Sequence, residues 1–415
     1  MGSVICAIGT SNPANKFQQM EIFEFMKNAH GLNEVDARRL EAIYKSSGID
    51  YRYSVLSDFG LKPRNFTFFG NQPGLKPFPT TSQRGKIYKQ QALDLSINAI
   101  NNCIADLSHL DLSHITHLIT VSCTGMYAPG LDIELVENLK LKPSVERTCI
   151  NFMGCYGAFN ALKSADYICK ANPKSTVLIV NVEFCTLHFQ IENNLDNWLA
   201  NALFGDGASA MIVQHQDNAV QKFFQINSFY TEIVSEARQE MAWEIGDFGY
   251  QMQLTNKVPK QIKKGIKTVA DNLLAKANLD WVDIKHYAIH PGGRRILEVC
   301  SEVFNLTETQ NYAAYEVLKN YGNMSSATIL FVIKELAKKF KTFYNLLEEE
   351  TDDSDFIERL ERNQMQDVKD NFLVGSYDYD SFNEFLDKRN SPHVVIIDSA
   401  TYFFKSFEQY KEFKK

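Results

Sequence analysis

The sequence lacks the features that would place the protein in a membrane or outside the cell. Its longest apolar stretches, such as Ala327 to Ile333, are far shorter than the roughly 20 residues of a membrane-spanning helix. The first residues contain neither a basic region nor an apolar run long enough for a signal peptide, and they do not match a myristoylation motif. We therefore expect no membrane span and a cytosolic location.

Paired cysteine motifs are also missing. The eight cysteines include no CxxC pair and no spacing typical of a metal site. Most of them lie in apolar segments, which favours reduced thiols over disulfides.

Acidic residues are concentrated in one part of the chain. The 415-residue chain has a net charge of −7, yet residues 348–387 alone contain fourteen acidic and three basic residues. The remainder is therefore mildly cationic, which suits an anionic substrate such as a coenzyme A (CoA) thioester. The acid-rich segment, residues 341–392, is either a charged surface insertion or an element that docks a protein partner.

Short apolar runs alternate with longer amphipathic stretches, which is typical of an α/β fold. The runs are rich in Val, Ile and Leu on both faces, so we expect strands buried between helix layers. The predicted strands are Val4–Ile8, His117–Val121, Thr148–Phe152, Val177–Val182 and Ala208–Val213. The predicted helices include Ile87–Leu107, Tyr156–Lys170, Pro259–Ala277 and Ser326–Phe340.

Three polar residues lie in turns that follow or precede these elements. Cys155 lies between glycines, after a predicted strand and before a predicted helix, where the helix N-terminus would stabilise a reactive thiolate. His290 ends an apolar strand and precedes a Pro-Gly-Gly turn, and Asn323 lies in a turn before an apolar helix. Each has an ordinary explanation on its own: an inert buried cysteine, a core-edge histidine and a helix N-cap.

Together, the three residues are the set that decarboxylative Claisen condensation requires. The cysteine accepts an acyl group as a thioester with His290 as base or ion-pair partner. His290 and the Asn323 amide then stabilise the enolate that forms when a malonyl thioester loses carbon dioxide. The enolate attacks the acyl group and extends it by two carbons.

The sequence resembles the type III polyketide synthases, of which chalcone synthase is the familiar member, from about residue 4 to residue 340. The His-Pro-Gly-Gly and Gly-Asn-Met-Ser-Ser motifs favour this branch over ketoacyl synthase III. The resemblance is carried by Ile8–Thr10 with Asn12-Pro13, Ile115–Ile119, Pro129–Asp132, Gly154-Cys155, Ala202–Ala208, His290–Gly293 and Tyr321–Ser326.

This resemblance implies a thiolase-like, five-layered α-β-α-β-α fold and a homodimer. Residues 1–214 would form the half that carries the nucleophile, and residues 215–415 the half that carries His290 and Asn323. The substrates would be acyl-CoA and malonyl-CoA, with no other cofactor and no nucleic-acid partner. The implied activity is that of an acyltransferase.

Further positions match the family's binding residues. Phe204 falls where the family has a gatekeeper phenylalanine, although an ordinary core aromatic would also explain it. Arg38 and Lys45 fall where basic residues grip the CoA phosphates, but a third basic position is Glu41, and solvated surface charges are the alternative. The expected cavity positions are Cys123, Thr124, Cys185, His188, Ala200, Met252 and Ser325.

Several departures bear on the product. Met252 replaces a second gatekeeper phenylalanine, Trp243 replaces a glycine, and Ala128 replaces a methionine that the family lends across the dimer. The cavity is therefore reshaped, and we expect a starter such as a fatty acyl-CoA and products such as pyrones or resorcinols.

The family's C-terminal Gly-Phe-Gly-Pro-Gly loop is missing. It supplies an oxyanion-hole N–H, whose loss typically slows a reaction about 100- to 1000-fold. Residues 372–377 and 394–399 are candidate replacement strands, with Gly375 or Ser399 supplying the N–H. The alternatives to a polyketide synthase are a single-condensation ketoacyl synthase III-like enzyme and a catalytically weak thiolase-fold subunit.

Overall fold

The computed structural model describes residues 2–105, 107, 110–220, 223–348 and 394–397. The strands in these residues are β1 (Ser3–Ser11), β2 (Asn15–Gln18), β3 (Tyr51–Ser54), β4 (His117–Ser122), β5 (Glu146–Asn151), β6 (Thr176–Phe184), β7 (Asp206–His215), β8 (Phe224–Ile226), β9 (Met241–Gly246), β10 (Gly249–Leu254), β11 (His286–Ile289) and β12 (Val394–Ile397). The α-helices are α1 (Gln19–His30), α2 (Glu34–Ser46), α3 (Thr81–Ile104), α4 (Leu131–Asn138), α5 (Gly157–Ala171), α6 (Leu195–Leu203), α7 (Val258–Ala277), α8 (Arg294–Phe304), α9 (Glu308–Tyr321) and α10 (Thr328–Glu348).

A mixed six-stranded sheet forms the centre of the fold, with the strand order β5-β4-β6-β7-β1-β8. Strands β5, β4 and β6 are mutually parallel, and the remaining neighbours are antiparallel. Both faces of the sheet are covered. Val4 of β1 belongs to the apolar cluster that contains α3, whereas Ile5 belongs to the cluster that contains α5 and α10.

The layers follow from these contacts. Helix α3 covers one face of the sheet, and α5 and α10 cover the other. Helices α9 and α10 also contact β11, which pairs in parallel with β12. Helices α7 and α8 pack on each other and share the buried cluster around β11. The α-β-α-β-α order confirms the predicted thiolase-like fold.

The predicted strands and helices are all present, with shifted ends, but one expectation about burial is wrong. The run Thr148–Phe152 was expected to be buried between helix layers, and its strand, β5, lies at the sheet edge with mostly exposed side chains. It pairs with β4 on one side only, and its Glu146-Arg147 start suits contact with solvent.

None of the helices in the described part of the chain is long and apolar enough to cross a membrane. Most of the acid-rich segment, from residue 349 to residue 392, lies outside the described residues, and so does the candidate strand 372–377. That the segment is a charged surface insertion, or that it docks a protein partner, stays a prediction.

Candidate active site

Cys155 lies in the turn between β5 and α5. A short 3₁₀ turn, Gly154–Tyr156, carries its side chain, and α5 begins at Gly157. A Cβ on Gly157 would lie 2.6 Å from Val121 Cγ1, so glycine allows α5 to begin this close to β4. The thiol is only 8% exposed and lies at the helix N-terminus, where backbone N–H groups favour an anion.

Asn323 lies in the turn between α9 and α10. Gly322, just before it, has a φ of 68°, which favours glycine. The Asn323 Oδ1 accepts a hydrogen bond from the Ser325 backbone N–H at 2.8 Å, which fixes the position of the side-chain amide. The Cys155 thiol approaches the same Oδ1 at 3.9 Å. The fold therefore brings together two side chains that are 168 residues apart in the chain.

His290 follows β11 and is 1% exposed. Burial lowers the pKa of its imidazole to about 3, so the ring is neutral near pH 7. A Cβ on Gly293, in the turn after His290, would lie 3.6 Å from Leu203 Cδ1. The Leu203 carbonyl accepts the Asn323 N–H at 3.0 Å. The His290 turn and Asn323 therefore contact the same end of α6.

Glu183 is a buried carboxylate near these groups that sequence reasoning missed. Its Oε2 accepts hydrogen bonds from the Cys123 N–H at 3.0 Å and the Thr124 hydroxyl at 2.8 Å, and its Oε1 accepts one from the Ser326 hydroxyl. Burial raises the pKa of the carboxyl group. The network joins the end of β4 to the turn before α10. A single charged residue in the otherwise uncharged run 176–184 was the available signal.

Cys123 and Ser325, two of the predicted cavity positions, contact the turns that carry Cys155 and Asn323. The Gly154 N–H donates to Cys123 Sγ at 3.0 Å, which fixes the residue before Cys155. Burial raises the pKa of the Cys123 thiol well above its ordinary value, so it remains protonated. Ser325 orients Asn323 through its backbone N–H.

A cavity of about 40 Å³ lies beside these groups, with room for only a few water molecules. Phe204 connects it to the reacting residues, because its backbone forms a β-bridge with Asn323. Trp243 and Met252 are cross-strand neighbours on β9 and β10, and both line the cavity. The predicted cavity positions that do line it are Cys185, His188, Ala200, Phe204 and Met252.

Comparison with known families shows which family the chain belongs to. The N-terminal domain of chalcone and stilbene synthases matches residues 2–217, and the C-terminal domain of the same enzymes matches residues 225–356. The chain belongs to this family, the type III polyketide synthases. The enzymes of this family are acyltransferases that condense malonyl-CoA, and this synthase is one of them.

Individual relatives agree with this assignment. A putative chalcone synthase of Bacillus subtilis is 29% identical over 346 residues, which cover 80% of this chain and 90% of the relative. The alpha-pyrone synthesis polyketide synthase-like Pks18 of Mycobacterium tuberculosis is 25% identical over 340 residues, which cover 81% and 84%. The solved structure of PKS-I from the brown alga Ectocarpus siliculosus has a TM-score of 0.76 at 30% identity and covers 84% of this chain and 92% of its own.

His188 is held in place in the cavity of this synthase by ring contacts and by hydrogen bonds at both ring nitrogens. Its ring stacks on Tyr250 at 4.0 Å between centroids and meets Trp243 edge-on at 5.7 Å. Nδ1 accepts the Tyr250 N–H at 3.0 Å, so Nε2 carries the proton and donates to the Thr124 carbonyl at 2.7 Å. Burial lowers the pKa of His188 to about 3. The cavity wall therefore presents a neutral, fixed imidazole.

The expected CoA-binding residues of the synthase, Arg38 and Lys45, are exposed on α2. The Lys45 ammonium forms an ion pair with Glu41 at 2.7 Å, and this pairing lowers the pKa of the Glu41 carboxyl. Glu41 occupies the third of the family's basic positions. The positive charge on this face of α2 is thus lowered by the carboxylate of Glu41 as well as by the absence of a third base.

The C-terminal departure of the synthase begins at about residue 341, within α10. Val394–Ile397, part of the second candidate replacement strand, forms β12 and lies beside β11, the strand that leads to His290. That part of the prediction is confirmed. Gly375 and Ser399, the proposed N–H donors, lie outside the described residues.

Proposed function

We propose that Cys155 is the nucleophile that accepts the starter acyl group. Its thiol loses a proton to His290, sulfur attacks the carbonyl carbon of an acyl-CoA, and CoA leaves as its thiol after it regains that proton. His290 is buried and neutral, so it holds the proton only in passing and returns it to the departing CoA. Cys123 would act as a positioning residue through its contact with Gly154, the residue before Cys155. Thr124 would act as one through its hydrogen bond to Glu183.

In the second step, His290 and Asn323 act on malonyl-CoA. Their N–H groups bind the thioester oxygen, carbon dioxide leaves, and the electron pair moves into an enolate that these donors stabilise. The enolate carbon attacks the Cys155 thioester and releases the thiolate. The contact of 3.9 Å between Cys155 and Asn323 carries this proposal, because it joins the acyl-loading and decarboxylating groups.

For the starter we propose a fatty acyl-CoA, and for the product a pyrone or resorcinol. The similarity to an alpha-pyrone synthesis enzyme supports this choice. Phe204 would separate the CoA channel from the cavity, and Cys185, His188, Met252 and Ser325 would shape or support the binding site. Arg38 and Lys45 would bind the CoA phosphates.

The proposal includes a homodimer formed through β5. This strand ends the described sheet and exposes most of its side chains, and Met126 nearby is 48% exposed. An edge strand of this kind is a template for pairing with a second copy. The two halves divide the chemistry, with Cys155 in residues 1–214 and the other two groups in 215–415. The charge of the acidic segment 341–392 supports a role in docking a protein partner.

We also propose a cytosolic location. All eight cysteines lie in the described part of the chain, and none forms a disulfide, which fits a reducing compartment.

The test is incubation of the full chain with labelled malonyl-CoA and a panel of acyl-CoA starters, with mass spectrometry of the products and of the Cys155 peptide. We expect acylated Cys155 and extended products. No acylation by any starter would overturn the proposal. A parallel reaction with malonyl carrier protein tests the ketoacyl synthase alternative, which strict dependence on the carrier protein would favour.

A further inference from the structure

The turn that carries Asn323 contains a residue in an unfavourable backbone conformation. Ser325, two residues after Asn323, has a φ of 49°, a left-handed conformation that is uncommon for residues other than glycine. Its side chain is buried, so the conformation lies in the core. Such conformations persist where the surrounding structure imposes them, and they concentrate at functional sites. The groups that impose it are therefore candidates for a functional role.

The conformation of Ser325 connects Asn323 to α10. With this φ, the Ser325 backbone N–H reaches Asn323 Oδ1 at 2.8 Å while the chain continues directly into the helix. A hydrogen bond to the oxygen of an amide polarises the amide and makes its nitrogen a stronger donor. In the proposed function, this nitrogen binds the enolate oxygen. A different conformation of Ser325 would weaken the donor on which decarboxylation depends.

The hydroxyl of Thr328, the first residue of α10, bonds to both ends of the strained segment. Its oxygen accepts the Met324 backbone N–H at 2.8 Å, and its proton is donated to the Ser325 carbonyl at 2.9 Å. These groups belong to the peptide units before Met324 and after Ser325, so one hydroxyl fixes the whole segment between them. The same oxygen lies 3.4 Å from Asn323 Oδ1, and Thr328 is fully buried.

The side chain of Met324 holds the turn from another direction. Asn12 Nδ2 lies 3.3 Å from the Met324 sulfur, and a Cβ on Gly207 would lie 2.5 Å from the same atom. Asn12 and Gly207 come from two of the sequence motifs that contain none of the three reacting residues. With Met324 held on this side, the Thr328 hydroxyl supports the turn on the side of α10.

We propose that Thr328 is a positioning residue for decarboxylation. Its hydroxyl holds Ser325 in the left-handed conformation and thereby keeps the Ser325 N–H bonded to Asn323. Thr328 acts through Asn323, without contact with the substrate. The inference rests on the proposed function, because it requires Asn323 to stabilise the enolate of malonyl-CoA. The alternative is a purely structural role, in which the hydroxyl only caps the start of α10.

The first test removes the hydroxyl and keeps the branched shape. Thr328→Val should lower kcat for malonyl-CoA decarboxylation about tenfold, less than removal of the amide itself, because the donor is displaced but still present. KM should change little, since the lost interaction acts in the transition state. Thr328→Ser keeps the hydroxyl and should restore most of kcat. Release of labelled carbon dioxide is measured per folded site, counted as the Cys155 that an acyl-CoA acylates.

Thr120→Val is the matched control. Thr120 is also buried, on β4, and its hydroxyl contacts the Cys149 thiol at 3.3 Å. This variant should decarboxylate at the wild-type rate. If Thr328→Val does not fold, Thr328→Cys takes its place, because the thiol is a weaker donor and acceptor than the hydroxyl. An unchanged kcat in the variant that folds, or a Thr328→Ser variant that is equally slow, would overturn the inference.

The second test removes the strain instead of the support. Glycine adopts a positive φ at no steric cost, so Ser325→Gly keeps the turn without help from the hydroxyl. Added to Thr328→Val, it should raise kcat about threefold above that of the single valine variant. The single variant Ser325→Gly completes the cycle. A hydroxyl that only caps α10 predicts no such recovery, and its absence would count against the positioning role.

Asn323→Ala separates failure of this inference from failure of the proposed function. It should slow decarboxylation about 100- to 1000-fold. If Asn323→Ala is slow and Thr328→Val is not, only the role of Thr328 is refuted. If Asn323→Ala decarboxylates normally, the proposed role of Asn323 fails, and the role of Thr328 fails with it.

Discussion

The reacting groups and the cavity beside them are built in different ways. Cys155, His290 and Asn323 each lie at the end of a strand or helix, in turns fixed by glycine and by backbone hydrogen bonds. Much of the cavity, in contrast, is shaped by side chains that pack on one another, such as Trp243 and Met252 on a hairpin.

This difference determines which side chains can be replaced without a movement of the backbone and which cannot. A turn at the end of a buried element cannot move without disturbing the core, so the reacting groups are tied to the fold. A side chain on the β9–β10 hairpin can change volume while the backbone stays in place. We therefore expect substitutions of reacting groups to change rates, and substitutions of cavity residues to change products.

The largest expected effect follows from Cys155→Ala. Without the nucleophile, acyl transfer is lost and condensation falls by about 10⁴-fold or more, as for removal of other catalytic nucleophiles. Malonyl-CoA decarboxylation should persist, because His290 and Asn323 remain. Release of labelled carbon dioxide and the mass of the protein measure the two steps separately.

The buried Cys103 on α3 supplies a control for the cysteine substitution, since α3 covers the opposite face of the sheet. Cys103→Ala should retain both steps. Equal loss of decarboxylation and acylation in Cys155→Ala would show that the two groups of the site do not act separately.

Asn323→Ala should give the reverse pattern. Removal of one donor to the enolate should slow decarboxylation about 100- to 1000-fold. Acylation of Cys155 by an acyl-CoA should change much less, and the same two assays measure it. Asn320→Ala, on the exposed face of α9, is the matched control. A variant that decarboxylates normally would remove Asn323 from the proposed mechanism.

The sequence predicted the reacting turns because their signals are local. A cysteine between glycines after a strand, or an asparagine in a Gly-Asn-Met turn, is visible within ten residues. The Glu183 network was missed because its partners, Cys123, Thr124 and Ser326, come from two other segments of the chain. The cavity volume could not be predicted for the same reason. The exposure of β5 could not be predicted either, because it depends on the position of the strand at the sheet edge.

The substitution Trp243→Gly tests the cavity side of the comparison between reacting groups and cavity residues. Loss of the indole opens the space opposite Met252, so we expect longer products with additional malonyl units, while total turnover changes less than about tenfold. Product masses measure this shift. Ile245→Gly is the control for a glycine in β9, since Ile245 is 61% exposed. An unchanged product distribution would show that Trp243 does not limit chain growth.

The smallest expected effect is on the stability of the folded protein at acidic pH. It tests whether the cavity wall at His188 is neutral or charged. His188 has a folded pKa of about 3 against an ordinary value of 6.5. Between these values the unfolded chain binds a proton that the folded chain excludes, so the free energy of unfolding decreases as the pH falls through this window.

His188→Gln removes that difference, and the slope of the unfolding free energy against pH should decrease by about one proton. Urea unfolding at pH 4.5, 5.5, 6.5 and 7.5 measures it, with the exposed His114 replaced by glutamine as the control. An unchanged slope would mean that the His188 imidazole takes up a proton in the folded state, which its contacts with the Tyr250 N–H and the Thr124 carbonyl oppose, because Nδ1 is already occupied as an acceptor.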